Sequence, residues 1–251
     1  MKTKRCVFPS AGILLAILIV VAFGMINGFC AAPAAADDSS DARQLVEKAR
    51  MTLENFMRAP ETEGFRRLAK DARGVFIAPQ VLRGAFIFGA SGGSGVFFAR
   101  DLQTNSWGGP AFYTIGGASF GFQIGGDASE VVFLAMTDRG VSALLRSSVK
   151  LGADAGVAVG PIGAGVDAST ANLSADILTF SRSKGLYGGI SLEGAVVAVR
   201  ERLNNAYYGL NVSPMDILVT KVVTNPHSAG LIEVLSKAAG GSSRRPAELS
   251  R

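Results

Sequence analysis

From Gly74 to about Met136 the chain strings together short apolar runs in which glycine falls inside the runs as well as between them: VFIA, GAFIFGA, GVFFAR, AFYTIGG, SFGFQIGG and EVVFLAM. Runs of this length, punctuated by Gly, Pro, Asn and Ser, read as short strands joined by tight turns, mostly antiparallel. Glycine weakens a flat strand but permits bulges, sharp coiling and close approach of backbones. So many internal glycines predict strongly curved, barrel-like sheets. The segments Leu151 to Gly160, Asp176 to Ser183 and Gly188 to Arg200 are expected to continue them.

Helices flank this region. Ala42, Leu45, Val46, Ala49, Leu53, Phe56 and Met57 recur at three- and four-residue spacing and make one apolar stripe. Asp41 is placed to cap that helix and Pro60 to end it. A second short helix would put Phe65, Leu68, Ala69 and Ala72 on one face, with Gly74 as its stop. The segment from Asp138 to Ser148 reads as a short helix. Three more close the chain, over about 200–208, 214–219 with Ser213 as cap, and 229–238. The expected fold is one α+β domain over residues 37–239, with residues 240–251 (GSSRRPAELSR after a glycine) as a disordered tail.

Residues 1–36 carry a separate signal. Lys2, Lys4 and Arg5 precede an apolar run from Ala11 to Ile26, followed by CAAPAAADD. This is the three-part pattern of a secretory signal, with cleavage before Asp37. An uncleaved anchor is the alternative, although the run is short against the ~20 residues of a membrane span. Lipidation at Cys30 is disfavoured by Phe29 before it. Each reading leaves the domain outside the cytoplasm, periplasmic or otherwise extracytoplasmic. Without the segment the chain holds 22 Lys and Arg against 20 Asp and Glu and no cysteine. That excludes a disulfide, a thiolate nucleophile and the strong basic field that would draw nucleic acid.

No chemical constellation emerges. The stretch GASGGSG (89–95) lacks the lysine of a phosphate loop, and Gly163 with Gly165 gives half of a dinucleotide fingerprint with no βαβ pattern around it. His227 is the only histidine and reads as a helix-entry residue. Asp154, Asp167, Asp176 and Glu193 are scattered, and Glu193 is placed to pair with Arg182 or Lys184. No metal or cofactor is expected. Two basic clusters remain. Arg66, Arg67, Lys70 and Arg73 occupy one face of the second helix, either as a solvated face or as a patch for anionic headgroups, beside Phe65. In the run Leu178, Phe180, Arg182, Lys184, alternate residues share one strand face that begins apolar and ends cationic at a rim. Trp107, the only tryptophan, sits in a turn, either packed on the sheet or, with Phe65, as a membrane-contact candidate.

Four segments, GASGGSGVFFAR (89–100), GFQIGGDASEVVFL (121–134), GADAGVAVGPIGAGVDAS (152–169) and SRSKGLYGGISLEGA (181–195), followed by Tyr207-Tyr208-Gly209, resemble the SYLF domain family over residues 42–238. The resemblance implies non-enzymatic binding of phospholipid through an amphipathic N-terminal helix and a positive patch. It makes Arg66, Arg67, Lys70, Arg73, Arg182 and Lys184 the headgroup candidates. Eukaryotic members favour phosphoinositides, and some bundle actin. This chain shows no SH3- or FYVE-like segment and carries an export signal. The expected partners are therefore anionic phospholipids such as phosphatidylglycerol or cardiolipin, with no nucleic acid and with actin set aside. A structural or protein-interaction module of the cell envelope is the rival reading, and a hydrolase built on buried acids the third.

Protein purified from its own envelope should begin at Asp37 by N-terminal sequencing. A chain beginning at Met1, or one bearing lipid on Cys30, would show that the segment is retained as an anchor.

Overall fold

Apolar residues on both faces of the same strands set the architecture. The computed structural model describes residues 38–85, 88–120, 125–162 and 174–240. The elements are α1 (Asp38–Arg58), α2 (Glu63–Ala69), β1 (Gly74–Ala85), β2 (Phe88–Asp101), β3 (Ser106–Phe120), β4 (Gly125–Ala135) and α3 (Asp138–Leu144). They continue with β5 (Ser148–Lys150), β6 (Val157–Val159), β7 (Ile177–Ser183), β8 (Leu186–Gly188) and β9 (Val196–Val199), then α4 (Glu201–Tyr208), α5 (Pro214–Leu218) and α6 (Ala229–Ala238). The strands form one strongly curled sheet in the order β5-β9-β3-β2-β1-β4-β7-β6, with β8 alongside β7. Every pairing is antiparallel except β6 with β7. The fold is α+β, with helices at both ends of a half-barrel sheet.

Alternation divides the core in two. Val75, Ile77, Val96, Phe98, Phe112, Val132, Leu134, Leu178 and Phe180 face α1, α2, α4 and α6. Their neighbours Phe76, Phe97, Tyr113, Val131, Phe133 and Ile177 face α3, α5 and the β5–β9 arm. A strand covered on both sides reads as a continuous apolar run, which is why VFIA and EVVFLA lack a polar face. The α1 stripe is buried as its spacing predicts, at Ala42, Val46, Ala49, Leu53 and Phe56.

One irregularity bears on everything downstream in β1. Its register with β2 shifts between Ile77 and Gln80, and with β4 between Ala78 and Val81. Pro79 occupies the extra position. Proline has no amide hydrogen to give to a ladder, so a bulge is where a central strand can hold it. Beyond the bulge the facing inverts: Val81 joins the second core, while Gln80 and Leu82 turn to the α1 side.

Asp176, 9% exposed, ties the parallel strand β6 to the start of α3. It accepts from Thr137 Oγ1 at 2.6 Å and from the Gly156 amide at 2.9 Å, and Arg139 Nε lies 3.6 Å away. Thr137 caps α3 through the Gly140 amide. Burial alone would push the Asp176 carboxyl up, but the two hydrogen bonds and the arginine outweigh it and hold it below its ordinary value of 3.8.

Several local expectations change. The helix begins before Asp41, which lies in the first turn of α1 with Asp38 and does not cap it from outside. Gly74 opens β1 and does not stop α2, which ends at Ala69. Only Val157–Val159 of the segment 151–160 pairs as a strand. Phe65 and Trp107 are not surface residues. Phe65 is wholly buried, its ring 5.1 Å from Phe180 edge-on, and Trp107 is packed in the same core with the Arg100 guanidinium 5.9 Å from its ring. Both are held by the apolar face of the sheet, so neither is presented to a membrane. Ser213 does cap α5, in a capping box with Asp216. The expected signal (1–36), the tail beyond Gly240, Asp167, and the pair Gly163 and Gly165 lie outside the described residues.

Two outcomes follow from this packing. A β-carbon at Gly93 would lie 2.3 Å from the Gln80 carbonyl oxygen at the bulge, whereas one at Gly84 would meet nothing within 4 Å. Urea unfolding should show Gly93→Ala destabilised by about 1–3 kcal/mol and Gly84→Ala changed by no more than about 0.5 kcal/mol. Because the Asp176 carboxyl is depressed in the folded state, its contribution is present above pH 3.8 and is lost as pH falls through the lower folded value. Asp176→Asn should therefore be less stable than the parent at pH 7, and the gap should close as unfolding is followed below pH 3.8.

Candidate functional site

The strand that runs from apolar to cationic does reach a rim. Leu178 and Phe180 of β7 sit in the core beneath α1, and Arg182 follows on the same face. Lys184 has left the strand: its backbone is left-handed, with φ of 49°, in the turn to β8. Arg182 and Lys184 line a cleft of about 450 Å³ between α1 and the sheet, together with Lys48, Met51, Thr52 and Asn55 of α1 and Pro79 and Gln80 of β1.

Arg182 is committed inward. Its Nε lies 2.6 Å from Glu130 Oε2 and its Nη2 donates to Oε1 at 2.8 Å, across the β4–β7 ladder where the two residues are register partners. Thr52 Oγ1 of α1 donates to the same carboxylate at 3.2 Å. The guanidinium also lies 5.8 Å from the Tyr187 ring, whose hydroxyl donates to the Asn55 carbonyl at 3.2 Å. These contacts join β4, β7, β8 and α1 at one point. Burial pulls the Arg182 pKa down, but the hydrogen bond and charge of Glu130 more than reverse it, so the group is firmly charged. The partner is Glu130 and not Glu193, which lies in the turn before β9. The only sequence sign was parity: Glu130 shares the face of Val132 and Leu134, and its meeting with Arg182 depends on a strand pairing 52 residues long.

Lys48 and Lys184 differ from Arg182. Neither makes an ion pair or a side-chain hydrogen bond among the described residues. Next to Lys184, Asp127 accepts from Ser183 Oγ and from Ser129 Oγ at 3.1 Å; the Ser183 bond leads in holding its carboxyl below the ordinary range, with the lysine charge adding to it.

The four cations of the second helix do not form one face. Helix α2 ends at Ala69, Lys70 follows as its cap, and Arg73 lies beyond it, next to β1. Arg66 donates to the Ala59 carbonyl and, at 3.1 Å, to Thr62 Oγ1. Arg67 stands 4.0 Å from Glu63, and Arg73 pairs with Asp138 at 2.5 Å. Lys70 lends its carbonyl to Arg100 Nη1. Most of the charge in that cluster is spent within the chain.

His227 stands in the 3₁₀ turn Pro226–Ser228 before α6, with Nδ1 3.3 Å from the Tyr207 hydroxyl and Nε2 3.4 Å from Glu47. Among the described residues no group of three His, Cys, Asp or Glu side chains could hold a metal ion, and no helix is long and apolar enough to cross a membrane.

Known proteins resemble this chain in sequence. The family Ysc84, described as Las17-binding protein actin regulator, matches residues 116–238, from the middle of β3 to the end of α6. That span includes Arg182 and Lys184 and leaves out the cations at 66–73. Human SH3 domain-containing YSC84-like protein 1 is 34% identical over 166 residues, 65% of this chain and 48% of that protein. Protein YSC84 of Saccharomyces cerevisiae is 33% identical over 175 residues, 68% of this chain and 37% of that protein. LAS seventeen-binding protein 3 from the same species is 31% identical over 174 residues, 68% and 38%. The matched part is thus less than half the length of these relatives. The family description and the name of LAS seventeen-binding protein 3 overturn the expectation of phospholipid partners with actin set aside, because they point to actin regulation and to a protein partner. Residues 116–238 carry the Ysc84, or SYLF, domain.

Proposed function

We propose that this protein is a non-enzymatic binding module that engages a protein partner, actin or an actin regulator, through the cleft between α1 and the rim of the sheet. The observation that carries the reading is the division of labour among the cleft's cations. Arg182 is neutralised and fixed by Glu130, Thr52 and Tyr187. Lys48 and Lys184 line the same cleft without an ion pair. A fixed scaffold bearing unspent charge suits holding a partner. The names of the relatives support the choice of partner. On the secretory reading of residues 1–36 we propose that the encounter lies outside the cytoplasm.

Purified protein mixed with actin filaments should pellet with them saturably, and less as salt rises. Pelleting with phosphatidylglycerol vesicles and none with filaments would overturn the reading in favour of a membrane surface. The two kinds of cation should also separate by mutation. Arg182→Ala strands a partly buried carboxylate and should cost about 1–3 kcal/mol in urea unfolding, while Lys184→Ala should stay within about 0.5 kcal/mol yet weaken pelleting.

A further inference from the structure

Glycine inside a strand costs stability relative to alanine, by roughly 0.5–1 kcal/mol, so a strand glycine invites the question of what requires it. Several in this sheet are required by packing. A β-carbon would lie 2.6 Å from the Phe97 ring at Gly74, 2.5 Å from the Phe76 ring at Gly95 and 2.4 Å from the Leu218 carbonyl at Gly108. Gly188 of the short strand β8 has open space, and three in the long strands are also different. At Gly84 a β-carbon meets nothing within 4 Å, at Gly92 its nearest neighbour is 3.9 Å away, and at Gly116 3.5 Å. None of the three has a positive φ. The fold makes no demand for glycine at these positions.

The three share one face. Leu82 pairs with Gly92, Gly92 with Gly116, and Gly116 with Val196, making a row across β1, β2, β3 and β9; Gly84 pairs with Ala90 in the next row. By strand parity and the bulge at Pro79, this is the face that carries the α1 core further along the sheet. Among the described residues the sheet therefore runs out past α1 as an uncovered floor, with Leu82 55% and Val196 41% exposed on it. The floor continues into the cleft beside α1: Leu82 and Gly92 border a second recess of about 310 Å³ that shares Lys48, Pro79 and Gln80 with the first. Lys184 stands at the border of the floor near Ala128. Arg200 closes the far end, donating to Ser94 Oγ at 2.6 Å.

We propose that this glycine-floored groove is the seat of the partner, and that its occupant is a peptide segment of a partner protein that carries acidic and large apolar side chains. The inference rests on the reading of the chain as a protein-binding module. Removing side chains from Gly84, Gly92 and Gly116 opens room for the occupant's apolar groups against Leu82 and Val196. Lys48 and Lys184 supply the charge for its carboxylates. The side of α1 from Asp41 to Asn55 gives the groove a length of about 21 Å at 1.5 Å per residue, enough for an extended segment of about six residues.

The test uses the purified protein and three fluorescein-labelled octapeptides, alternating Glu-Leu, Lys-Leu and Glu-Gly, followed by fluorescence anisotropy. The Glu-Leu peptide should bind at least tenfold more tightly than either control. Gly92→Phe fills the floor where a side chain has open space, so circular dichroism and the melting temperature should be retained while Glu-Leu affinity falls at least tenfold. Gly84→Phe serves as a second blocking variant if the first unfolds. Lys48→Glu with Lys184→Glu should also cost at least tenfold and reverse the preference toward Lys-Leu. Equal binding of Glu-Leu and Lys-Leu, or Glu-Leu binding that survives the folded blocking variant, would overturn the proposal. So would phosphatidylglycerol vesicles that bind at the groove, and lose binding in the blocking variant, when the peptide does not bind. Actin-filament pelleting read on the same variants separates the two levels. Pelleting that persists undiminished when the groove is blocked refutes the groove and leaves the binding module standing, whereas loss of pelleting in the parent refutes both.

Discussion

Coverage of the central strands on both faces governs the rest of this structure. Helices α1, α2, α4 and α6 press on one side of β1 to β4, and α3, α5 and the β5–β9 arm press on the other. Two layers of phenylalanine then compete for the same backbone. Phe76 stacks on Phe133 at 4.8 Å while Phe56 and Phe65 crowd the opposite face at 5.3 Å. Gly74 and Gly95 resolve the competition by giving the Phe97 and Phe76 rings the space of a missing side chain. Curvature follows from the same economy: a sheet that must accept rings on both sides coils around them, and bulges at Pro79 and in β3 release the register where it would otherwise strain.

Charge in this protein is local and mostly internal. The ladder of Glu47, Arg50, Glu54 and Arg58 along α1 is closed by i,i+3 and i,i+4 pairs. Arg73 spends its charge on Asp138 and Arg202 on Asp38, which ties α4 to the start of α1. A cluster of cations in sequence is therefore a poor guide to a positive surface here. What distinguishes the rim of β7 is that pairing stops there, one residue short of the turn, so that Arg182 belongs to the scaffold and Lys184 to the solvent.

The fold was largely legible from periodicity because each helix stripe and each strand run is long enough to declare its period. The α1 stripe, the runs VFIA, GVFFAR and EVVFLAM, and the terminal helices with the Ser213 cap follow from spacing, whereas GAFIFGA and SFGFQIGG, read as strands of their own, each bridge the end of one long strand and the start of the next. The site was half legible. Arg182 and Lys184 stand out in sequence because an apolar run gives way to charge at alternate positions. Glu130 and Lys48 do not, since their role exists only after β4 has paired with β7 and α1 has crossed the sheet. The surroundings of the cations at 66–73 were not legible either: three of the four have partners within the fold, at Ala59, Glu63 and Asp138, and sequence does not display those distances. Phe65 looked like an exposed aromatic beside a basic face, but the ring of Phe180 that covers it is 115 positions away in the chain.

The bulge at Pro79 also works as a parity switch. Upstream, odd-numbered residues of β1 look toward the helices; downstream, even-numbered ones do. One inserted position thus lets a single strand be core on both faces for its first half and then exchange its faces without turning over. Whatever surface the far half of the sheet offers is fixed by counting residues through this point. Its side chains are free to vary in sequence, but their number between Ile77 and Val81 is not.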